Sequence, residues 1–247
     1  MSQQNEQIYT AAMLAIGDEL LSGRTRDKNI GHLATALTLQ GIDLKEVRIV
    51  SDESDSIIKA VNALRKQNSY VFTSGGIGPT HDDITADAIA EAFQVPIDYD
   101  PRAMEILVRH YSDRNMELTT ARKRMARIPV GANLIDNPVS KAPGFSIENV
   151  YVMAGVPAVF NAMLENVLSH LDGAIPIQSQ TIKTTLGEGT IGDRLGEIQL
   201  QNPDTSIGSY PKFDGERFST QIVVRSRDEN AIKEAVQQIE GMLHEFN

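Results

Sequence analysis

The chain has no cysteine among its 247 residues, so disulfides, thiolate nucleophiles and cysteine zinc sites are excluded. It also lacks a long apolar run, although 41% of its residues are hydrophobic. That combination predicts a globular chain with no transmembrane helix. Residues 1–7 are polar and carry neither the basic nor the apolar block of a signal peptide, so the expected location is cytoplasmic. Positive charge is scarce: 23 lysines and arginines stand against 33 acidic residues, giving a net charge of −10. This balance disfavours nucleic acid as a partner, because a broad nucleic-acid surface needs a basic stripe to neutralise phosphates. The densest basic stretch, Arg122-Lys123-Arg124 with Arg127, surrounds Ala121, Met125 and Ile128 at helical spacing. It reads as a solvated helix face, with a positive rim to an anionic pocket as the functional alternative.

What is present is a regular alternation of strand and helix patterns. A short apolar run at residues 11–16 ends at Gly17; Ile30, Leu33, Ala34 and Leu37 then mark a helix closed by Gly41. Residues 43–50 form the next strand, Ile57, Ile58, Val61 and Leu64 the next helix, and residues 70–73 the third strand. From Ile84 to Phe93 the apolar spacing is helical again. Such alternation predicts a mainly parallel, helix-covered sheet with right-handed crossovers. Further on come an extended piece at 95–99, a helix at 102–111, and another helix ended by Ile128-Pro129. A strand edge at 133–138, a loop at 140–145, the last strand at 150–153 and a helix at 158–171 complete the pattern. Residues 172–178 have no periodicity and mark a domain boundary. Beyond it a strand at 181–186, a helix at 191–200, strands at 206–210 and 218–225 and a helix at 230–246 predict a small α+β layer. Gly189-Thr190-Ile191-Gly192 matches a GxxG RNA-binding loop in form, but Glu188 and Asp193 flank it and would repel phosphate; it reads as a turn.

Chemistry-bearing residues concentrate between the third strand and its helix, in Ser74-Gly75-Gly76-Ile77-Gly78-Pro79-Thr80-His81-Asp82-Asp83. Three glycines let the backbone turn with positive φ and bring its N–H groups close to a ligand. Asp83 is placed to cap the helix. Strand, glycine turn and helix N-terminus together make an anion cradle suited to phosphate. Asp82 and Asp83 would repel that phosphate unless a divalent cation stood between, and hard carboxylate oxygens suit Mg2+, with Mn2+ or Co2+ as alternatives. The bland alternative is a cap beside a solvated acid. Asp18 and Glu19 follow the first strand, with Asn29 further along, and Asp52 follows the second. In open α/β sheets these strand ends share one ligand crevice, the alternative for Asp18 and Glu19 being a capping acid pair on a short helix. Lys141, in the loop before the last strand, is a point charge that a phosphate can use, although a loop lysine is usually just solvated.

The stretch TSGGIGPTHDDITADAIAEAF resembles the signature of the molybdopterin-binding (MoaB/Mog-like) domain family. It is most similar to the branch forming the N-terminal part of CinA-type competence/damage-inducible proteins. AIGDELLSGRTRDKN, RIVSDE and IPVGANLIDNPVSKAPGF through VYVMAGVPAVFNAML extend the likeness over most of residues 11–171. Family members commonly carry proline where Ala154 stands and glycine where Ser140 stands. The resemblance implies a three-layer α/β/α molybdopterin-binding domain over residues 8–172 and a small KH-like α+β domain over 178–247. The amidohydrolase domain of full-length CinA is not expected, nor is nicotinamide-nucleotide deamidation. The implied ligand is a phosphorylated pterin or nucleotide: molybdopterin, ADP-ribose or an FAD-like dinucleotide. The implied chemistry is metal-dependent pyrophosphate cleavage, with molybdopterin adenylyl transfer or a non-catalytic binding module as alternatives. Asp52 and Asp83 match two aspartates thought to matter in Mog-like enzymes and are the expected catalytic residues. Ligand contacts are expected from Asp18, Glu19, Asn29, Ser74, Gly75, Gly76, Gly78, Thr80 and Lys141, and metal contacts from Asp82 and Asp83. CinA-like relatives imply a homodimer. The continuous apolar run Ile222-Val223-Val224 adds the expectation that both faces of the small domain's sheet are covered.

Overall fold

In the computed structural model residues 8–213, 215 and 218–246 are described. The chain divides into two compact units, Met1–Ala174 and Ile175–Asn247.

The first unit begins with β1 (Tyr9–Ile16), whose residues are buried from Ala11 onward. Burial on both faces is what a central parallel strand requires, and it explains the continuous apolar run. A short α1 (Asp18–Leu21) and then α2 (Asn29–Leu39) lead to β2 (Ile42–Val50), α3 (Ser54–Gln67), β3 (Tyr70–Ser74) and α4 (Thr85–Phe93). Gln94, in the left-handed region at φ 55, ends α4. After β4 (Ile97–Tyr99), Asp100 caps α5 (Pro101–Ser112) by accepting from the N–H groups of Arg102 and Ala103. Next come α6 (Thr120–Lys123), a 3-10 turn (Arg124–Ala126), β5 (Arg127–Pro129), β6 (Asn133–Ile135), β7 (Gly144–Ile147), β8 (Val150–Met153) and α7 (Pro157–Leu168).

The main sheet runs β2-β1-β3-β8-β7-β6. The first four strands are parallel, and β7 and β6 add an antiparallel edge. Along β1 the side chains alternate between two cores. Ala12, Leu14 and Ile16 pack with Ile57 and Leu64 of α3, Ile89 of α4 and Leu107 of α5. Ala11 and Met13 pack with Leu33 and Leu37 of α2 and Phe160 and Met163 of α7. Three layers follow directly, and the carboxyl ends of β1, β3 and β8 meet along one edge.

Two expectations are corrected here. Ile128-Pro129 does not end a helix: both lie in β5, which pairs with β4 in a separate two-stranded sheet. The helical spacing of the basic stretch is used only for α6 and the 3-10 turn before the chain extends. Gly144 and Phe145, read as loop, begin β7.

The second unit contains β9 (Gln178–Thr184), α8 (Glu188–Gln201), β10 (Ser206–Phe213), β11 (Phe218–Ser226) and α9 (Glu229–His244). Its antiparallel sheet runs β10-β11-β9. Ile222 and Val224 pack on Ile191 and Leu195 of α8 and on Ile232 and Ile239 of α9. Val223, on the opposite face, is only half-buried, so the apolar run does not mark two covered faces. Gly189-Thr190-Ile191-Gly192 is not a turn but the start of α8.

Candidate functional site

The site is assembled where β1, β2, β3 and β8 end. After β1, the Gly17 N–H donates to the Val50 carbonyl, and the Asp18 N–H donates to Asp52 Oδ2 at 2.9 Å. The Asp52 carboxylate thus holds the first turn of α1 against the end of β2. After β3, Gly75 has φ +111, and a Cβ there would lie 2.2 Å from the Ile16 carbonyl oxygen. Gly76 has φ +67, and its Cβ would lie 2.1 Å from Thr85 Oγ1. Only glycine passes through this gap. The loop is pinned by the Thr85 N–H donating to the Gly76 carbonyl at 2.9 Å and Thr85 Oγ1 donating to the Gly75 carbonyl at 3.0 Å.

Asp83 does not cap α4. The cap position is Ile84, which makes no side-chain cap. Instead Asp83 Oδ2 accepts from the Thr80 N–H at 2.8 Å and from Thr80 Oγ1 at 2.6 Å. The carboxylate folds back across Gly78 and staples the loop, because two donors three residues upstream outcompete the free amides of the next turn.

The loop opens into a cleft of about 540 Å³, within the usual range for small-molecule sites. Gly75, Gly76 and Gly78 form part of its lining, with Glu19 and Asp52 from the β1 and β2 ends and Asn137, Gly155 and Pro157 from the β6–β7 and β8–α7 connections. Asp82 and Asp83 complete four acidic side chains, and among the described residues no lysine or arginine lines the cleft. Burial pushes the Asp52 carboxyl above its usual value; the charges of Asp18, Glu19 and Asp82 push the same way, against the hydrogen bond from the Asp18 amide. Asp82, fully exposed, is held below the usual range by hydrogen bonds from Thr80 and its own backbone, helped by His81. Positive charge stands behind the loop rather than in the cleft. Arg124 Nη2 donates to the Asp83 carbonyl at 3.3 Å, and Arg127 pairs with Asp87 of α4. The Nε atoms of both arginines are buried without a partner.

The expected site residues separate into four groups. Glu19, Asp52, Gly75, Gly76, Gly78, Asp82 and Asp83 line the one cleft. Asp18 is exposed at the start of α1, with its charge felt at Asp52, and Thr80 is turned to the two acids, its N–H and hydroxyl bonded to Asp83. Asn29 and Ser74 lie behind the lining. Asn29 is 3% exposed, and its Nδ2 donates to Ser74 Oγ at 2.7 Å and to the Gly155 carbonyl at 2.8 Å. Lys141 points elsewhere. Its backbone is left-handed at φ +66, and its side chain lines a second cavity of about 350 Å³ with Arg109, His110, Arg114 and Asp136.

Among the described residues no group of three or more histidine or acidic side chains is gathered at metal-binding spacing. Sequence reasoning missed Asn137, which is buried and holds its loop by accepting from the Val139 and Ser140 N–H groups and donating to the Ala142 carbonyl. Its signal was local: asparagine before proline is a turn former. It also read the basic stretch as a solvated helix face, with a rim to an anionic pocket as the alternative, whereas Arg124 and Arg127 are half-buried against α4 and the loop before it. Only the non-local pairing of β4 with β5 puts them there.

Residues 12–173 match the family model described as "Probable molybdopterin binding domain". The chain belongs to this family. Residues 176–246 match a second model, the FAD synthase middle domain. Among curated proteins, one from Archaeoglobus fulgidus is 32% identical, covering 94% of this chain and 97% of that one. A CinA-like protein of Salinibacter ruber is 30% identical, covering 84% of this chain and 53% of that one. Among solved structures, the protein CinA from Thermoplasma acidophilum, of unknown function, has a TM-score of 0.61 at 29% identity, covering 66% of this chain and 97% of that one. These likenesses place the first unit with the CinA N-terminal branch.

Proposed function

We propose that the cleft binds a phosphorylated pterin- or nucleotide-type ligand and cleaves the pyrophosphate of an ADP-ribose- or FAD-like dinucleotide in the presence of a divalent cation. The observation that carries this reading is the combination of a glycine loop with a lining whose charged side chains, among the described residues, are all acidic. Backbone N–H groups at Gly76 and Gly78 suit phosphate oxygens, while Glu19, Asp52, Asp82 and Asp83 would repel them. Both fit one ligand if a hard cation accompanies the phosphate. With no three-residue cluster among the described residues, an all-protein cage is not the fit; one or two carboxylates with phosphate oxygens and waters is, as Mg2+ prefers. Asp82 and Asp83 would hold it, and it would supply charge neutralisation at the phosphate.

The chain's own residues do the rest. The fixed turn at Gly75-Gly76 orients the diphosphate, and Asp83 keeps that turn closed through Thr80. Asp52 is the general base. Its Oδ2 is occupied by the Asp18 amide and Oδ1 remains for a water, while its raised pKa makes it a better proton acceptor than an ordinary carboxylate. The water oxygen bonds to phosphorus, the bridging P–O bond breaks, the bridging oxygen leaves with the other phosphate, and the water's proton goes to Asp52. The molybdopterin-binding family of the first unit and the FAD synthase likeness of the second support a nucleotide- or pterin-sized ligand.

The test is turnover of a dinucleotide panel by the full chain with Mg2+, Mn2+ or Co2+. Release of a nucleoside monophosphate that requires the cation and falls at least tenfold in Asp52→Asn supports the proposal. Tight binding without turnover leaves a binding module instead, and neither binding nor turnover removes the reading altogether.

A further inference from the structure

The antiparallel sheet of the second unit has one face covered and one open. Thr220, Ile222, Val224 and Ser226 of β11 are buried toward α8 and α9. Strand alternation places Ser219, Gln221, Val223 and Arg225 on the other face. Register adds Lys183 of β9, opposite Gln221, and Tyr210 and Lys212 of β10, opposite Gln221 and Ser219. Lys183, Lys212 and Arg225 are exposed, and among the described residues no carboxylate shares this face. In a chain of net charge −10, that segregation of charge stands out from the average.

The aromatic residue on the face is laid flat. A Cβ at Gly208 would meet the Tyr210 ring, with Oη at 3.0 Å, so the ring folds along the strand over the bare glycine. The Arg225 guanidinium lies 5.9 Å from the ring centroid, and Tyr210 is 43% exposed. A flat, part-exposed ring with one guanidinium over it at a distance and two lysines on the same face combines a surface for base stacking with charges for the adjoining phosphates.

We propose that this sheet face binds single-stranded nucleic acid. Shape decides the occupant. A free nucleotide needs a concavity that buries most of its surface, whereas an open sheet suits a strand that spreads its contacts along it. The geometry suits only two or three nucleotides, since three strands span about 10 Å across and four residues about 13 Å along. Binding is therefore weak and salt-dependent. The acidic composition that disfavours a broad nucleic-acid surface is compatible with so small a face.

The test uses the full chain and a fluorescently labelled oligo(dT) twelve residues long, followed by anisotropy across a salt series. Three neutralised phosphates predict a slope of log K against log salt of about −2. Tyr210→Ala should weaken binding about fivefold or more, as loss of one stacked base does. Gly208→Val should do the same with the tyrosine still present, because it lifts the ring. Lys183→Gln with Arg225→Gln should flatten the salt slope. Circular dichroism melting of each variant checks that it is folded, so a loss of binding with an unchanged melt supports the proposal. It is overturned by no binding at low salt, by binding the variants leave unchanged, by equal affinity for duplex DNA, or by equal competition from polyglutamate. Competition by a dinucleotide, with loss of oligonucleotide binding in Asp82→Asn, would place the strand in the cleft and also overturn it.

Discussion

At Gly75 and Gly76 the chain passes between the end of β1 and the start of α4 with no room for a side chain. Gly75→Ala and Gly76→Ala each combine a disfavoured backbone with a contact near 2 Å, so each should cost at least ~2 kcal/mol of stability, read as a fall in the denaturation midpoint. Asp83 separates two roles that a cap would have merged. Asp83→Ala leaves the Thr80 N–H and hydroxyl without their acceptor and should cost about 1–2 kcal/mol. Asp83→Asn keeps an acceptor, so stability should hold while cation-dependent ligand affinity, followed by calorimetry, falls. Asp52 gives a pH signature. Its carboxyl is raised above the value of 3.8, so above that pH the native state holds more protons than the unfolded chain. Its contribution to stability is present at lower pH and is lost as pH rises through the folded value. Denaturation midpoints from pH 3.5 to 7 should therefore decline less with pH in Asp52→Asn than in the parent chain.

Between elements, one buried asparagine joins three of them. Asn29 starts α2 and donates to Ser74 at the end of β3 and to Gly155 in the β8–α7 turn. Asn29→Ala leaves the buried Ser74 hydroxyl and the more exposed Gly155 carbonyl without this donor and should cost about 1–2 kcal/mol. Asn29→Asp faces a carboxylate with the Gly155 carbonyl, so it should cost more at neutral pH and recover on acidification, by the same denaturation measurement. These links mark where the sequence stops being legible. The strand ending at Gly75-Gly76 was visible because an apolar run and glycines are local signals. The parallel order was visible because strands and helices alternate. The antiparallel β7–β6 edge and the β4–β5 pair were not, since strands of three or four residues carry little periodicity, and β4 and β5 are also separated by the whole of α5 and α6. Asn29 looked like a ligand contact because it has a polar side chain near strand ends, and only its burial shows it to be a clasp. Lys141 looked like a phosphate ligand, and a single left-handed residue turns it into another cavity.

For the molecule as a whole, the two units match two different family models, 12–173 and 176–246. No helix among the described residues is long and apolar enough to cross a membrane. The apolar run at Ile222-Val223-Val224 alternates between a packed and an open face, so the expected homodimer rests on the resemblance to CinA-type proteins; light scattering of the full chain should give the mass of two chains, and the mass of one would contradict it. The central claim is that phosphate and cation meet at the glycine loop. It is tested most directly by a crystal structure with Mn2+ and a non-hydrolysable dinucleotide, located by anomalous scattering. The account predicts diphosphate oxygens within hydrogen-bonding distance of the Gly76 and Gly78 N–H groups and a manganese peak at Asp82 and Asp83. A ligand bound instead among Arg109, Arg114 and Lys141, or a diphosphate in the cleft with no metal beside it, would contradict it.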